Sequence, residues 1–256
     1  MARSERVRFA ATESDLLSPG DRHESTDSSN ALSAIIVAGG SSQRMGFDKL
    51  LAPLHDKPVF AHSIIAFEQT ESVTDIILVA HAARIADYQR VIECEKFAKV
   101  SAVIPGGVRR QDSVRLGLEQ LSLQTKFVAV HDAARPLVRP ELIERALRLA
   151  LTHGAAAVAA PVIDTLKRAD QDSFVIGGVE RANLFAMQTP QIFRRALLES
   201  AYAALLESGA EVTDEVSAVE GIGAKVMLVT NDEANFKITY PSDLALAESV
   251  LRQRSS

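Results

Sequence analysis

Short apolar runs alternate with amphipathic stretches along most of the chain. The runs at 34–38, 75–80, 99–104 and 127–130 are rich in β-branched residues and predict strands buried on both faces. Amphipathic segments such as 58–69 separate these runs and predict helices. Strands and helices that alternate at these lengths predict right-handed crossovers and a mostly parallel sheet.

The same pattern continues towards the carboxyl terminus. It predicts an α/β fold, namely a Rossmann-like, mostly parallel twisted sheet with helices on both faces. The further predicted strands are 155–160 and 225–230, and the further predicted helices are about 83–93, a helix ending near 121, 192–208 (ended by Gly209) and 242–252.

The pattern changes between Pro161 and Gln191, where roughly thirty residues show no helical period. A stretch of this kind predicts a β-hairpin excursion instead of a crossover helix. A hairpin standing alone is poorly buried, so we expect an arm at about 162–188 to pack on a second copy of the chain.

Composition narrows the class of protein. Among the 256 residues, 47% are hydrophobic, and no apolar run approaches the ~20 residues that span a bilayer. The single cysteine excludes an internal disulfide, and the net charge of −5 argues against nucleic-acid binding. Residues 1–30 are polar and resemble neither a signal nor a transit peptide, so we expect a flexible tail and a cytoplasmic protein.

Two glycine turns followed by cations come directly after predicted strands. Gly39 and Gly40 precede Arg44 and Lys49, and the turn at 106–107 precedes Arg110 and Ser113. Neither turn is a Walker A loop or a dinucleotide fingerprint, since both GxxxxGK[ST] and GxGxxG are absent. Backbone N–H groups and nearby cations at a strand end suit the binding of phosphate.

A third strand end carries His131, Asp132 and Arg135. Asp132 is suited to a metal, its waters or a substrate hydroxyl, and Arg135 to a phosphate. A mutual salt bridge that closes the loop is the alternative. Further on, Thr213 is expected to cap a helix, and Lys237 is expected at a strand edge.

Seven motifs follow one another over about 33–252, namely the opening loop, GGxxRxxSV (106–114), HDAARP (131–136), DTLKR (164–168), TPQ (189–191), TDE (213–215) and FKIT (236–239). They resemble the motifs of the 2-C-methyl-D-erythritol 4-phosphate cytidylyltransferase family and follow the same order. The opening loop itself is closer to that of molybdopterin guanylyltransferases.

The resemblance implies a single nucleotidyltransferase domain at 31–256 that joins CTP to a polyol phosphate, with Mg²⁺ as cofactor. It also implies a homodimer in which the arm completes the neighbouring subunit's acceptor site. The implied catalytic residues are Arg44, Lys49 and Lys237; the implied nucleotide-binding residues are Ala38, Gly39, Gly40, Gly106, Arg110, Ser113 and Ala133; and the implied substrate-binding residues are Asp132, Arg135, Thr165, Arg181, Thr189 and Thr213, with Asp132 also a possible metal ligand.

Three other functions stay open at this point. A ribitol-phosphate cytidylyltransferase and a molybdopterin guanylyltransferase belong to the same class of enzyme. A catalytically silent nucleotide-binding module on the same sheet belongs to another class. Transition-state cations such as Arg44 and Lys49 argue against the silent module, because binding alone does not need them.

Overall fold

The structure is a computed structural model that describes residues 31–40 and 46–254. The predicted tail at 1–30 and Arg44 lie outside the described residues. Within these limits the strands are β1 (Leu32–Ala38), β2 (Pro53–Leu54), β3 (Lys57–Pro58), β4 (Val73–Ala80), β5 (Val100–Pro105), β6 (Phe127–Asp132), β7 (Ala155–Pro161), β8 (Leu166–Ala169), β9 (Val175–Val179), β10 (Phe185–Arg194) and β11 (Met227–Thr230). The α-helices are α1 (Val59–Gln69), α2 (Ile85–Glu95), α3 (Arg110–Gln120), α4 (Pro140–His153), α5 (Arg195–Ser208), α6 (Glu215–Gly221) and α7 (Pro241–Arg254).

Seven of these strands form one sheet in the order β11-β7-β10-β6-β1-β4-β5. The first strand therefore lies near the centre, and it pairs in parallel with both β4 and β6. Only β10 runs antiparallel to its neighbours, β6 and β7. The predicted mostly parallel α/β sheet is confirmed.

The sheet has an apolar layer on each face, and alternating residues of β1 supply both layers. Ile36 packs with the residues of α1, α4 and α7, whereas Ile35 packs with those of α3, α5 and α6. Both side chains are fully buried, as expected for a central strand covered by helices on both faces.

One helix boundary predicted from the sequence was wrong. The segment from Ile192 was expected to be helical, but α5 begins at Arg195 and the preceding residues belong to β10. Ile192 and Phe193 pair with Ala129 and Val128 of β6 and are fully buried. Burial between two strands therefore decided their conformation, overriding the amphipathic pattern.

The predicted β-hairpin is present as a separate two-stranded antiparallel sheet of β8 and β9. It ends sooner than expected, because the main-sheet strand β10 already begins at Phe185. Phe174 and Ile176 of the hairpin expose more than half of their surface. No helix in the described part of the chain is long and apolar enough to cross a membrane.

Candidate active site

The carboxyl ends of the central strands open into one cavity of about 550 Å³. Loops after β1 and β5 and the last residue of β6 meet there, as expected for an open parallel sheet. Its lining residues are Val37, Gly39, Gly40, Lys49, Leu50, His81, Gly107, Val108, Arg109, Arg110, Ser113, Asp132, Ala134 and Lys237.

Asp132 lies at the centre of the charged groups in this cavity. Its Oδ1 accepts a hydrogen bond from Nε of Arg110 at 3.2 Å, and its Oδ2 accepts one from Nζ of Lys237 at 3.0 Å. Nε of Arg135 lies 3.7 Å from the same Oδ2. The expected Asp132–Arg135 contact is thus one part of a larger cluster.

This cluster keeps Asp132 ionised. Burial by itself would raise the pKa of its carboxyl group, but the charges of Arg110, Lys237 and Arg135 outweigh burial and hold that pKa well below its usual range. Asp132 therefore acts as a hydrogen-bond acceptor, and it offers no proton near neutral pH.

The backbone next to Asp132 is held by two buried polar side chains. The hydroxyl of Thr189 accepts a hydrogen bond from the Asp132 N–H at 3.1 Å and forms another with Nδ1 of His131 at 2.9 Å. Burial lowers the pKa of His131 to about 3, so its imidazole is neutral. Thr189, expected on the substrate side, is itself buried beneath the cavity.

Two lysines approach the cavity from opposite ends of the chain. Nζ of Lys49 donates to the backbone oxygen of Ile238 at 2.7 Å, which places it next to the loop that carries Lys237. Lys237 lies in that loop, so its predicted position at a strand edge was wrong. The structure therefore brings together two of the three predicted catalytic cations, while Arg44 lies outside the described residues.

Arg110 has a second partner that the sequence did not reveal. Its Nη1 donates to both oxygens of Glu215, at 2.7 and 2.9 Å, and the hydroxyl of Tyr202 donates to Oε1 of Glu215 at 3.0 Å. Burial would lower the pKa of Arg110, but the Glu215 and Asp132 carboxylates raise it above its usual value. In the sequence Glu215 is only the last residue of the TDE motif, and nothing in its local sequence signals this ion pair.

The second glycine turn is shaped by close packing. Gly106 donates its N–H to the Ala80 oxygen at 2.8 Å, and a β-carbon on Gly106 would lie 2.7 Å from Oγ of Ser113. That hydroxyl accepts from the Gly107 N–H at 3.1 Å and donates to the Arg109 oxygen at 3.2 Å. Ser113 thus stabilises the loop through these two hydrogen bonds.

The other predicted nucleotide-binding residues differ in accessibility. Gly39 and Gly40 line the cavity, and a β-carbon on Gly40 would meet nothing within 4 Å. Ala38 and Ala133 are buried, and Ala133 donates its N–H to the Val37 oxygen at 3.0 Å. Space for a ligand therefore lies above the glycines and not at the alanines.

Two predicted substrate-binding residues have positions that differ from expectation. The terminal nitrogens of Arg135 donate to the backbone oxygens of Asn235 and Met187, at 2.9 and 3.3 Å, and Arg135 does not line the cavity. Thr213 is exposed and does not cap α6; that prediction was wrong, because the side chain of Asp214 accepts from the Ser217 N–H.

The arm residues Thr165 and Arg181 are exposed and do not line the cavity of their own chain. Arg181 donates to the backbone oxygen of Ile163 within the arm. Among the described residues, no group of three or more His, Cys, Asp or Glu side chains is arranged to hold a metal ion.

An α/β sheet with glycine turns, lysines and an ionised aspartate around one cavity fits the class of nucleotidyltransferases, whose catalysis rests on positioning and charge stabilisation. Comparison with known proteins identifies the family. The sequence profile of the IspD family, 2-C-methyl-D-erythritol 4-phosphate cytidylyltransferase, matches residues 32–253, and the chain belongs to this family.

Individual relatives agree with this assignment. The 2-C-methyl-D-erythritol 4-phosphate cytidylyltransferase of Caldanaerobacter subterraneus subsp. tengcongensis is 41% identical over 226 residues, which cover 87% of this chain and 99% of that protein. The chloroplastic enzyme of that name from Oryza sativa subsp. japonica is 36% identical over 234 residues, covering 88% of this chain and 75% of that protein.

Solved structures support the same fold. The Thermus thermophilus cytidylyltransferase of this name has a TM-score of 0.71 and 30% identity, covering 87% of this chain and 99% of that one. The 4-diphosphocytidyl-2C-methyl-D-erythritol synthase of Anaerococcus prevotii has a TM-score of 0.77 and 27% identity, covering 88% and 97%. These matches favour the methylerythritol enzyme over the ribitol-phosphate, molybdopterin and silent alternatives.

Proposed function

We propose that this protein transfers the cytidylyl group of CTP to 2-C-methyl-D-erythritol 4-phosphate and releases pyrophosphate, a step in isoprenoid precursor synthesis. The observation that carries the proposal is the convergence of Lys49, Lys237 and Asp132 on one cavity beside the glycine turns. Membership of the cytidylyltransferase family supplies the two substrates.

The cavity suits a reaction that needs charge stabilisation and no general base. A phosphate monoester is already anionic at neutral pH, so it can attack the α-phosphorus of CTP directly, with pyrophosphate leaving in line. The histidine next to Asp132 in the chain, His131, is buried and neutral and has no access to the reacting atoms. Catalysis therefore rests on position and on cations.

We assign the cations to the phosphates. Lys49 and Lys237 line the cavity, and both are placed to stabilise the negative charge that builds up on the phosphoryl oxygens. Arg44 follows the first glycine turn and is proposed to act with them. Gly39, Gly40 and the loop that Ser113 braces are proposed to form the nucleotide side of the cavity.

Asp132 is assigned to the acceptor. Since it is ionised and faces the cavity, it can accept a hydrogen bond from a hydroxyl of the polyol. Thr213 is proposed to contact the acceptor phosphate from the exposed segment before α6. Arg135 supports this side by holding the backbone of the loop that carries Lys237.

The described residues around the cavity do not form a ready magnesium site. Both oxygens of Asp132, which is the only carboxylate lining the cavity among the described residues, already accept hydrogen bonds from cations. Mg²⁺ commonly binds through substrate phosphates with few protein ligands. We therefore propose that Mg²⁺ enters as part of the Mg–CTP complex, where it offsets the charge of the triphosphate.

We further propose a homodimer formed through the β8–β9 hairpin. The exposed Ile163, Phe174 and Ile176 give the arm an apolar surface that a second copy can cover. Thr165 and Arg181 do not reach the cavity of their own chain, so they are proposed to contact the acceptor in the partner subunit. A cytoplasmic location and a single domain at 31–256 stay predictions of the sequence.

Incubation with CTP, MgCl₂ and methylerythritol phosphate tests the function directly. We expect a diphosphocytidyl product and stoichiometric pyrophosphate, measured by mass spectrometry and a coupled assay. GTP, and ribitol 5-phosphate as acceptor, should give much lower kcat/KM values. Equal use of GTP, or a preference for ribitol phosphate, would refute the proposed substrates.

A further inference from the structure

The first turn of α3 is hydrogen-bonded to the segment 210–215, which leads into α6 and ends at its first residue, Glu215. The Gln111 side chain donates to the Ala210 oxygen at 3.2 Å and accepts from the Val212 N–H at 2.9 Å. These two bonds tie a nearly buried glutamine to backbone groups about 100 residues further along the chain. The segment that carries Thr213 is therefore fixed from the side of the nucleotide loop.

The ion pair of Arg110 and Glu215 is the second contact between α3 and this segment. The guanidinium of Arg110 lies between two carboxylates: its Nη1 donates to Glu215, and its Nε donates to Asp132. A guanidinium is planar and rigid, so holding it at Glu215 also fixes the direction from which it meets Asp132. Tyr202 holds Glu215 in turn through its hydroxyl.

Glu215 holds Arg110 in position and is not itself placed to bind a substrate. Its side chain is 1% exposed, and it does not line the cavity. A buried carboxylate is tolerated only when its charge is paired and its oxygens accept hydrogen bonds, and Arg110 and Tyr202 provide both.

We propose that Glu215 is a positioning residue for the acceptor: through Arg110 it orients the carboxylate of Asp132, and as part of the 210–215 segment it fixes the position of Thr213. This inference rests on the proposed function, because it concerns the acceptor half of the same reaction. Glu215 contacts neither substrate, and its effect reaches the acceptor through Arg110, Asp132 and the 210–215 segment.

Arg110, which the resemblance assigned to the nucleotide, is bonded to Asp132 and Glu215 in this structure. The glycine turn that forms the nucleotide side has its own supports and should be affected little. Gly106 is bonded to β4 through the Ala80 oxygen, and Gly107 is bonded to Ser113. The Arg109 N–H donates to the Asp112 side chain at 3.1 Å. None of these bonds involves Glu215, so the loop should keep its shape when the contacts between α3 and the 210–215 segment are weakened.

The test compares three variants of the full chain in a pyrophosphate-release assay. Glu215→Gln keeps the shape of the side chain and removes its charge, and Gln111→Met removes the two bonds to the segment without changing any charge. Glu199→Gln is the matched control, because Glu199 pairs only with Arg195 among the described contacts, is 46% exposed and does not line the cavity. Each substrate is varied in turn while the other saturates.

We expect Glu215→Gln to raise the KM for methylerythritol phosphate about 10-fold or more, since a charge-assisted contact is lost. The KM for CTP should stay within about 2-fold of the wild-type value, and Glu199→Gln should match the wild type. Gln111→Met should raise the acceptor KM in the same direction, which keeps the inference testable if Glu215→Gln fails to fold.

Two results would overturn the inference. One is an unchanged acceptor KM in folded Glu215→Gln or Gln111→Met; the other is an equal rise in both KM values, which indicates general damage. A wild-type protein that makes no diphosphocytidyl product refutes the proposed function, and the inference fails with it. An active wild type with insensitive variants refutes the inference alone.

Discussion

Lys237→Met offers a sharp test of the catalytic assignment, because it removes a charge from the cavity and keeps an apolar side chain of similar length. Nζ of Lys237 lies 3.0 Å from Oδ2 of Asp132, and the Lys237 side chain is 42% exposed and lines the cavity. Losing one charge-assisted contact with the reacting phosphates costs about 1.5–3 kcal/mol. This converts to a loss of about 10- to 150-fold in kcat/KM.

Stability should change much less than activity. Lys237 is partly exposed, although Asp132 is buried, so the lysine should contribute to folding as much as a surface ion-pair partner does, about 0–1 kcal/mol. Asp132 also keeps Arg110 and Arg135 as neighbours when Lys237 is removed, so its carboxylate stays paired. We therefore expect the free energy of unfolding, measured in urea, to fall by less than about 1 kcal/mol.

Lys57→Met is the matched control, because Lys57 also forms a lysine–carboxylate pair, with Glu95 at 2.7 Å, and does not line the cavity. Steady-state pyrophosphate release with both substrates varied gives kcat/KM for each protein. The reasoning is refuted if Lys237→Met stays within about 3-fold of the wild type, or if Lys57→Met loses as much activity.

Three further predictions concern packing, pH and assembly. Gly117→Ala should destabilise the protein by about 1–3 kcal/mol in urea unfolding, because a β-carbon there would lie 2.7 Å from Cγ2 of Ile35. Gly221→Ala, where nothing lies within 4 Å, is the control, and equal effects would contradict the packing argument. Since burial lowers the pKa of His131 from 6.5 to about 3, the unfolded chain alone takes up a proton below pH 6.5, and this part of the stability is lost as the pH falls towards 3. Over the first pH unit below the unfolded pKa this loss is about 1 kcal/mol, so the stability of His131→Asn should depend less on pH over that interval; parallel profiles would exclude the buried neutral histidine. Phe174→Glu, in the exposed face of the arm, should shift the protein from dimer to monomer in sedimentation velocity, and a monomeric wild type would refute the dimer.

The sequence predicted the elements whose signal is local. The run that became β1 is apolar on both faces, and the glycine turn after it marks the end of the strand. Ordered motifs such as HDAARP indicate the family from the sequence alone. Local signals of this kind survive in the fold because they depend on neighbours in the chain.

Sequence reasoning failed where a distant partner decided the outcome. Ile192 and Phe193 have a pattern that suits a helix, yet they pair with β6 as a strand. An apolar pattern records that a residue is buried, but it does not record which backbone completes its hydrogen bonds.

The candidate site shows the same division. Asp132 and Lys237 were chosen from the sequence as functional residues, but their contact joins positions 105 residues apart, as does the pair of Arg110 and Glu215. No local pattern encodes such a separation, so only the tertiary structure shows that one aspartate holds several cations in place. The sequence by itself determined which chemical groups are available and in what order. Folding decided which charged groups lie close enough to interact, because electrostatic energy depends on distance through space.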